Sequence, residues 1–364
     1  MVLAYVVNNA SPSGNGTVSV IDVKTHNVIA TVSVGVGSRA ISFTPDGKLA
    51  YIVNSGNFQN NATLSVIDVK THQVIASVPI NDDSRAVSIT PDGKLAYVIE
   101  VTTVAVIDVK THNVIATVAI ENPVNVVSFT PDGKLAYVTS RQEIPSFTFA
   151  SVIDVKTHSV IATVQISNNA NDDPRAVSFT PDGKLAYVAH TEPMGNGTVS
   201  VIDVKTHSVI ATIPVGRDTR GVSITPDGKL AYVINTEPMG NGTVSVIDVK
   251  THSVIATIPV GRDSIAMSFT PDGKLAYVIN NVIDNPGSVS VIDVKTHNVI
   301  AMVPVGRAPS GMSFTPDGKL AYVVNFENPP SVIGTVSVID VKTHSVIAVV
   351  PVGIRANVIS ITPN

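Results

Sequence analysis

One internal repeat of about 45 residues runs through the whole chain and constrains its fold more than any other feature. The heptad VIDVKTH occurs eight times, with its Asp at 22, 68, 108, 154, 203, 248, 293 and 340. The octad TPDGKLAY occurs seven times, with its Thr at 44, 90, 130, 180, 225, 270 and 315. Because each unit must bury its apolar faces against its neighbours, the repeat predicts one array over residues 1–364.

Each unit has the pattern of four short strands. Residues 39–81 contain the runs RAISFTP, LAYIVN, ATLSVIDV and QVIASVPI, which are rich in β-formers and separated by turn residues. Pro45 and Gly47 favour a tight turn after the first run, and Asp68 favours an Asx-type turn after the third. Four-stranded units of this length, repeated around a ring, predict an all-β, eight-bladed β-propeller.

The chain ends predict how the ring closes. The sequence ends in VISITPN and begins with MVLAYVVN, the two halves of one TPDGKLAY turn. We therefore expect residues 357–362 to supply the innermost strand of the blade formed by residues 3–34. This pairing removes exposed sheet edges.

Composition excludes several classes of protein. The net charge is −4, Cys and Trp are absent, and no apolar run approaches the ~18 residues of a membrane helix. We expect neither nucleic-acid binding nor membrane insertion. The N-terminus lacks a secretory signal, which leaves a cytoplasmic protein or a mature or excised domain as alternatives.

The eight copies differ on only one face of the predicted ring. The TPDGK and DVKTH turns share what we call the constant face, whereas the remaining loops share the loop face. All 15 Lys lie in those turn motifs with 15 Asp, so the other 9 Arg and 13 acids account for the net charge of −4. Loops on a rigid scaffold carry binding sites, and this pattern favours a site on the loop face.

Arginine precedes the innermost strand in four blades and is the first candidate for ligand binding. Their guanidinium groups can hold a carboxylate, phosphate or sulfated sugar near the channel mouth through forked hydrogen bonds. Pairing with neighbouring aspartates is the alternative. The four residues are Arg39, Arg85, Arg175 and Arg220.

The fourth residue of the Tyr-Val-x-Asn tetrad is replaced in three successive blades. Glu100, Ser140 and His190 stand where the other blades have Asn. Glu100 and His190 are candidate ligand-binding residues, and an acid/base pair between them is the catalytic alternative. Blade four lies between them, so we do not expect direct contact, and loop-end variation is the simpler interpretation.

Acidic loops and turn histidines are the two candidates for metal sites. We expect no cofactor, with calcium at Asp82, Asp83, Asp172 and Asp173 as the one alternative. Eight histidines of the DVKTH turns stand roughly 15 Å apart around the predicted rim, too far to share a metal ion.

The repeat resembles the YVTN family of β-propeller proteins, through YVVN (5–8), YIVN (51–54), YVTS (137–140), YVIN (232–235 and 277–280) and YVVN (322–325). The resemblance implies a secreted or surface-layer protein of archaea or bacteria. It also extends to parts of lactonases and redox-enzyme subunits.

We therefore expect a non-enzymatic, monomeric scaffold at the cell surface or outside the cell. On this hypothesis it binds a protein or glycan partner through its loop face. The alternatives are a lactonase- or lyase-like enzyme with a site at the channel mouth, and an amplified or engineered repeat without an evolved ligand.

Overall fold

Eight four-stranded antiparallel sheets form the blades of a β-propeller. The computed structural model describes residues 1–9, 14–57, 61–143, 146–167, 172–191, 195–237, 240–282, 286–326 and 333–363. Within these ranges the chain forms 32 strands and no helix, and therefore no helix that could cross a membrane. The fold class and blade count predicted from the repeat are confirmed.

The strands are numbered in chain order. Blade 1 contains β1 (Leu3–Asn8), β2 (Asn15–Asp22), β3 (Asn27–Val36) and β32 (Ala356–Ile361). Blade 2 contains β4 (Ser38–Phe43), β5 (Leu49–Asn54), β6 (Thr63–Asp68) and β7 (Gln73–Pro79). Blade 3 contains β8 (Ala86–Ile89), β9 (Leu95–Ile99), β10 (Thr103–Asp108) and β11 (Asn113–Ala119). Blade 4 contains β12 (Val124–Phe129), β13 (Leu135–Glu143), β14 (Ser146–Asp154) and β15 (Ser159–Ser167). Blade 5 contains β16 (Asp173–Phe179), β17 (Leu185–Thr191), β18 (Asn196–Asp203) and β19 (Ser208–Arg217). Blade 6 contains β20 (Thr219–Ile224), β21 (Leu230–Asn235), β22 (Asn241–Asp248) and β23 (Ser253–Arg262). Blade 7 contains β24 (Ser264–Phe269), β25 (Leu275–Asn280), β26 (Pro286–Asp293) and β27 (Asn298–Arg307). Blade 8 contains β28 (Pro309–Phe314), β29 (Leu320–Asn325), β30 (Ile333–Asp340) and β31 (Ser345–Ile354).

The innermost strands contact one another in an unbroken ring. They are β4, β8, β12, β16, β20, β24, β28 and β32, and β32 contacts β4 to complete the circle. We call the strands of each blade A to D from the inside outwards. Strand A therefore borders the central channel, and each D–A segment carries the chain from the rim of one blade to the centre of the next.

The two chain ends complete blade 1 as predicted. Strand β32 pairs antiparallel with β1, and the Thr362 backbone N–H donates to the Leu3 carbonyl at 2.9 Å. The Thr362 hydroxyl accepts a hydrogen bond from the Leu3 N–H at 3.0 Å. Thr44 and Leu49 make the same two bonds within the continuous turn of blade 2. The broken turn thus reproduces the hydrogen bonding of an intact one.

Local hydrogen bonds fix the constant-face turns. In the first turn of blade 2, the Thr44 hydroxyl donates to the Asp46 carboxylate at 2.7 Å, and Gly47 has a left-handed φ of 67°. In the second turn, the Asp68 carboxylate accepts the Thr71 N–H at 2.7 Å and its hydroxyl at 2.8 Å. This is the Asx-type turn that the sequence predicted.

A tyrosine from strand B joins every blade to the next. All eight tetrad tyrosines are fully buried, and each hydroxyl lies 2.8–3.4 Å from the Nδ1 atom of a turn histidine. That histidine belongs to the following blade and has a left-handed φ between 51° and 57°. The eight turn histidines therefore serve the contacts between blades and do not converge on a common point.

The tetrad asparagine occupies the opposite end of strand B, near the loop face. In blade 2, the Asn54 amide donates to the hydroxyls of Thr63 and Ser65, at 3.2 and 2.9 Å. Its Oδ1 accepts from the Ser38 hydroxyl on strand A at 2.8 Å. One buried amide thus ties three strands of the blade together.

Blade 1 lacks one of these hydrogen bonds. Ala356 pairs with Asn8 where Ser38 pairs with Asn54, and the buried Oδ1 atom of Asn8 has no described partner.

We expect Ala356→Ser to raise the free energy of unfolding by about 1 kcal/mol. Urea unfolding measures this change. In the matched control, Ser264→Ala removes the donor of a satisfied asparagine and lowers stability by about 1–2 kcal/mol. A destabilising Ala356→Ser would contradict this account of the ladder.

The tyrosines predict a loss of stability in alkali. Burial, aided by the negative charges of Asp154 and Asp203, raises the pKa of Tyr97 and Tyr137 from 10.0 to about 12. The unfolded chain releases these protons first, so the free energy of unfolding falls as pH rises from about 10 towards 12. Urea unfolding midpoints between about pH 9 and pH 11 test this slope, which Tyr97→Phe reduces. Unchanged midpoints would rule out the effect.

Candidate functional site

The blades differ most at two positions that contact each other, one in each of two neighbouring blades. We call such a pair of positions a junction. Its first member lies at the end of strand D, at the place of Gly35. Its second is the tetrad's fourth residue in the next blade, Asn54 in this case. A Cβ atom added to Gly35 would lie 2.8 Å from the Asn54 Cβ, so asparagine requires glycine opposite it. Gly216, Gly261 and Gly353 face their asparagines equally closely.

The junction of blades 2 and 3 holds a matched replacement. Glu100 stands in the place of asparagine and Asn81 in the place of glycine. The Asn81 backbone and side-chain N–H groups donate to the Glu100 carboxylate at 3.0 and 2.7 Å. The Thr103 hydroxyl donates to the same carboxylate. Glu100 is only 3% exposed, and these bonds satisfy its buried charge within the fold.

The junction of blades 4 and 5 holds a second matched replacement. His190 is 2% exposed, and its Nδ1 lies 2.9 Å from the Asp172 carboxylate and 3.0 Å from the Thr198 hydroxyl. Its Nε2 lies 2.9 Å from the Ser200 hydroxyl. The Ser167 hydroxyl, from the place of glycine, donates to the same aspartate. Sequence reasoning missed Ser167, Thr198 and Ser200 as partners of this histidine.

This junction has the atom order of an Asp-His-Ser relay. Burial opposes ionisation of Asp172, but hydrogen bonds from His190 and Ser167 and the charges of His190 and Arg141 outweigh it and lower its pKa. Ser200 is fully buried, and its hydroxyl also faces the Ile166 carbonyl at 3.4 Å. A buried hydroxyl cannot reach a substrate carbonyl, so this relay stabilises the junction.

The predicted pair of Glu100 and His190 does not form. Each side chain is buried in its own network, and the junctions belong to blades 2–3 and 4–5. The signal that could have identified their partners is covariation within the chain. Wherever the tetrad asparagine is replaced, the glycine of the preceding blade is replaced too.

The four candidate arginines share one register near the start of strand A. At this register, the Asn125 amide donates to Asp173 of the next blade at 2.8 Å, and the Ser310 hydroxyl donates to the Asn357 carbonyl at 2.9 Å. Side chains here thus reach the adjoining innermost strand at the loop-face end of the channel. Arg39 and Arg85 come from blades 2 and 3, and Arg175 and Arg220 from blades 5 and 6. We call these four residues the arginine arc.

Half of the arginine arc is neutralised. Arg175 pairs with Asp173 at 3.2 Å, and Arg220 pairs with Asp218 at 2.6 Å. Arg39 and Arg85 are exposed, and neither guanidinium has an ion-pair partner in the part of the chain that the structure describes. The arc therefore presents two free cations at the channel mouth.

The candidate calcium residues are engaged elsewhere. The Asp82 carboxylate caps the Ala62 N–H at 3.0 Å, Asp83 is exposed in a left-handed turn, and Asp172 binds His190. Asp173 pairs with Arg175 and Asn125. Among the described residues, no three His, Cys, Asp or Glu side chains cluster as a metal site.

Structural comparisons show the fold alone. Hydrazine synthase from Kuenenia stuttgartiensis matches 84% of this chain and 95% of its own, with 24% identity and a TM-score of 0.66. The structure of dihydro-heme d1 dehydrogenase NirN in complex with DHE matches 100% of this chain and 75% of its own, with 16% identity and a TM-score of 0.77. A eukaryotic initiation factor matches 100% of this chain and 98% of its own, with 11% identity and a TM-score of 0.61. A search of curated proteins found no match.

The fold defines the class of protein as an eight-bladed β-propeller. A model of the cytochrome D1 heme domain family matches residues 150–264 and 238–358, which together span more than half of the 364 residues. The chain belongs to this family.

Family membership corrects two expectations. The expectation of a non-enzymatic scaffold is wrong, because the chain belongs to a family that is defined by a heme domain. The expectation of no cofactor, with calcium as its alternative, is wrong for the same reason. The β-propeller repeat is confirmed, whereas surface location, a protein or glycan partner and a monomeric state stay predictions.

Covariation at the junctions predicts energetic coupling. Glu100→Asn places a second amide against Asn81, and Asn81→Gly removes the donors that satisfy Glu100, so each should cost about 2 kcal/mol of stability. The double variant recreates the Gly35–Asn54 pair and should recover about 1–2 kcal/mol. Urea unfolding of all four proteins measures the cycle. Additive losses would show that the two positions are independent.

Proposed function

We propose that this protein binds a heme-type tetrapyrrole at the loop-face mouth of its channel and contributes to redox chemistry there. The observation that carries the proposal is the arginine arc in a chain of the cytochrome D1 heme domain family. Two proteins of similar structure, a dihydro-heme d1 dehydrogenase and a hydrazine synthase, support the proposal of an enzymatic role. This extends the sequence-based alternative of an enzyme at the channel mouth.

The arginine arc suits the acidic edge of a tetrapyrrole. Tetrapyrroles carry carboxylate side chains, and guanidinium groups bind carboxylates through paired hydrogen bonds. Arg39 and Arg85 are the exposed, unneutralised members on adjacent blades. Blades 7, 8 and 1 carry Ile265, Ser310 and Asn357 at the same register, so the positive charge is concentrated on one side of the mouth.

The histidines of the described residues are poorly placed to bind a heme iron. His190 is the one histidine outside the DVKTH turns, and both of its ring nitrogens already contact Asp172, Thr198 or Ser200. The turn histidines lie on the constant face with Nδ1 beside a tyrosine hydroxyl. A bound heme supplies redox-active iron. We infer that the chain recognises the carboxylate edge and does not depend on His190 as an iron ligand.

The test compares two porphyrins on the whole protein. Protoporphyrin IX with iron and its metal-free form should bind with similar affinity, because both present the same carboxylates. Their dimethyl esters should bind much more weakly. Arg39→Ala with Arg85→Ala should weaken binding of the acids by at least tenfold, from the loss of two charge-assisted contacts. Absorbance and fluorescence titrations give these dissociation constants.

A matched control removes the same charge elsewhere. Lys48→Ala with Lys94→Ala changes two exposed cations of the constant face and should leave porphyrin binding unchanged. Two results would overturn the proposal: no saturable binding of either acid, or equal affinities for the arginine and lysine double variants.

A further inference from the structure

Among the replaced junctions in the described part of the chain, the junction of blades 3 and 4 leaves a buried hydroxyl without a partner. Ser140 stands in the place of asparagine and Glu121 in the place of glycine. The Ser140 hydroxyl is buried in a residue only 1% exposed, and it has no hydrogen-bond partner among the described residues. Buried hydroxyl groups are normally paired, so this atom marks a place for a further molecule.

A cavity of about 170 Å³ lies at this junction. Ser140 is shorter than asparagine and leaves space at the end of strand B. Phe149 takes the place of the threonine that accepts from asparagine in blade 2, so no hydroxyl stands there to pair with Ser140. The cavity is lined by Ser140, Phe149, Ser151, Glu121, Asn122 and Gln142, among others. A cavity of about 150 Å³ holds a six-membered ring, so a ligand here has about six heavy atoms or fewer.

The charge of the lining selects the ligand. Glu121 is its one ionisable side chain among the described lining residues, and no Lys, Arg or His contributes. The nearest arginine in sequence, Arg141, acts instead on Asp172 at the junction with blade 5. Carboxylate, hydroxyl and amide oxygens accept several hydrogen bonds, and an ammonium group donates three.

We propose that this cavity is a binding site for a small aliphatic ammonium ion. The Glu121 carboxylate pairs with the ammonium group at the rim. The Ser140 hydroxyl donates to, or accepts from, a polar group deeper in the cavity, and the Phe149 ring covers the alkyl part. The site is distinct from the arginine arc, whose positive charge favours anions, and does not depend on the proposed tetrapyrrole.

The experiment uses three probes of similar size that share a hydroxyl group. Ethanolammonium, ethylene glycol and glycolate differ in carrying a positive, zero or negative charge. In amide NMR spectra of the whole protein, ethanolammonium should give saturable shifts at Ser140 and Phe149. Ethylene glycol should bind at least tenfold more weakly, and glycolate should not bind.

The chain supplies matched variants. Ser140→Asn introduces the residue that five other blades carry, here against Glu121 in the place of glycine, so it fills the cavity, crowds the junction and should abolish the saturable shifts. Glu121→Gln keeps the shape of an exposed side chain and should weaken ethanolammonium binding about tenfold. As a control, Asn280→Ser opens the same position in blade 7. Gly261 stands there where Glu121 stands at the Ser140 junction, so this variant should create no ammonium site.

Three outcomes would overturn the proposal. They are the absence of saturable shifts in the wild type, equal binding of the three probes, and full binding by Ser140→Asn. Should Ser140→Asn fail to fold, Glu121→Gln decides, because unchanged affinity in that variant contradicts the ammonium assignment. An ordered cluster of water with no probe bound would show that solvent alone satisfies Ser140.

Discussion

The buried tyrosine of strand B is the contact on which the ring depends. Its ring fills the space between two blades, and its hydroxyl reaches a turn histidine of the next blade. Eight copies of this contact hold the constant face in a fixed arrangement, so neighbouring blades are joined without help from the loops. The loop face is therefore not needed to hold neighbouring blades together. Its residues can change so long as each junction stays satisfied.

The junctions show how such change is accommodated. Glycine with asparagine is the common solution, and Asn81 with Glu100 is a second one. His190 with Asp172 is a third, in which a buried acid and a histidine share a hydrogen bond. The fourth junction, at Ser140, is left incomplete. Replacements therefore occur in pairs across neighbouring blades, and the pair of Glu121 and Ser140, whose Ser140 hydroxyl has no described partner, lies beside a cavity.

The repeat alone was sufficient to predict the blades, the turns and the closure, because each depends on residues close in sequence or on a motif split between the ends. The contacts between blades were not predictable in this way. Tyr51 and His112 lie 61 residues apart, and no local pattern records that they meet. From the sequence, the turn histidines were therefore interpreted as isolated turn residues.

The shared register of the arginines was visible from the sequence, but their ion pairs were not. Arg175 and Arg85 have similar acidic neighbours, and of these two only Arg175 forms an ion pair. The cofactor class escaped sequence reasoning because recognition of a carboxylate edge needs no contiguous motif.

The junction has a consequence for how such a protein can grow or be rebuilt. A cut between strands D and A separates the two members of every pair, so a blade moved as a unit arrives beside the wrong neighbour. A cut inside a blade at strand C, after the tetrad, keeps a glycine with its asparagine or an Asn81 with its Glu100. The modular unit of this ring is therefore the seam between two blades, and recombination that respects seams can add or exchange segments without leaving buried charges stranded.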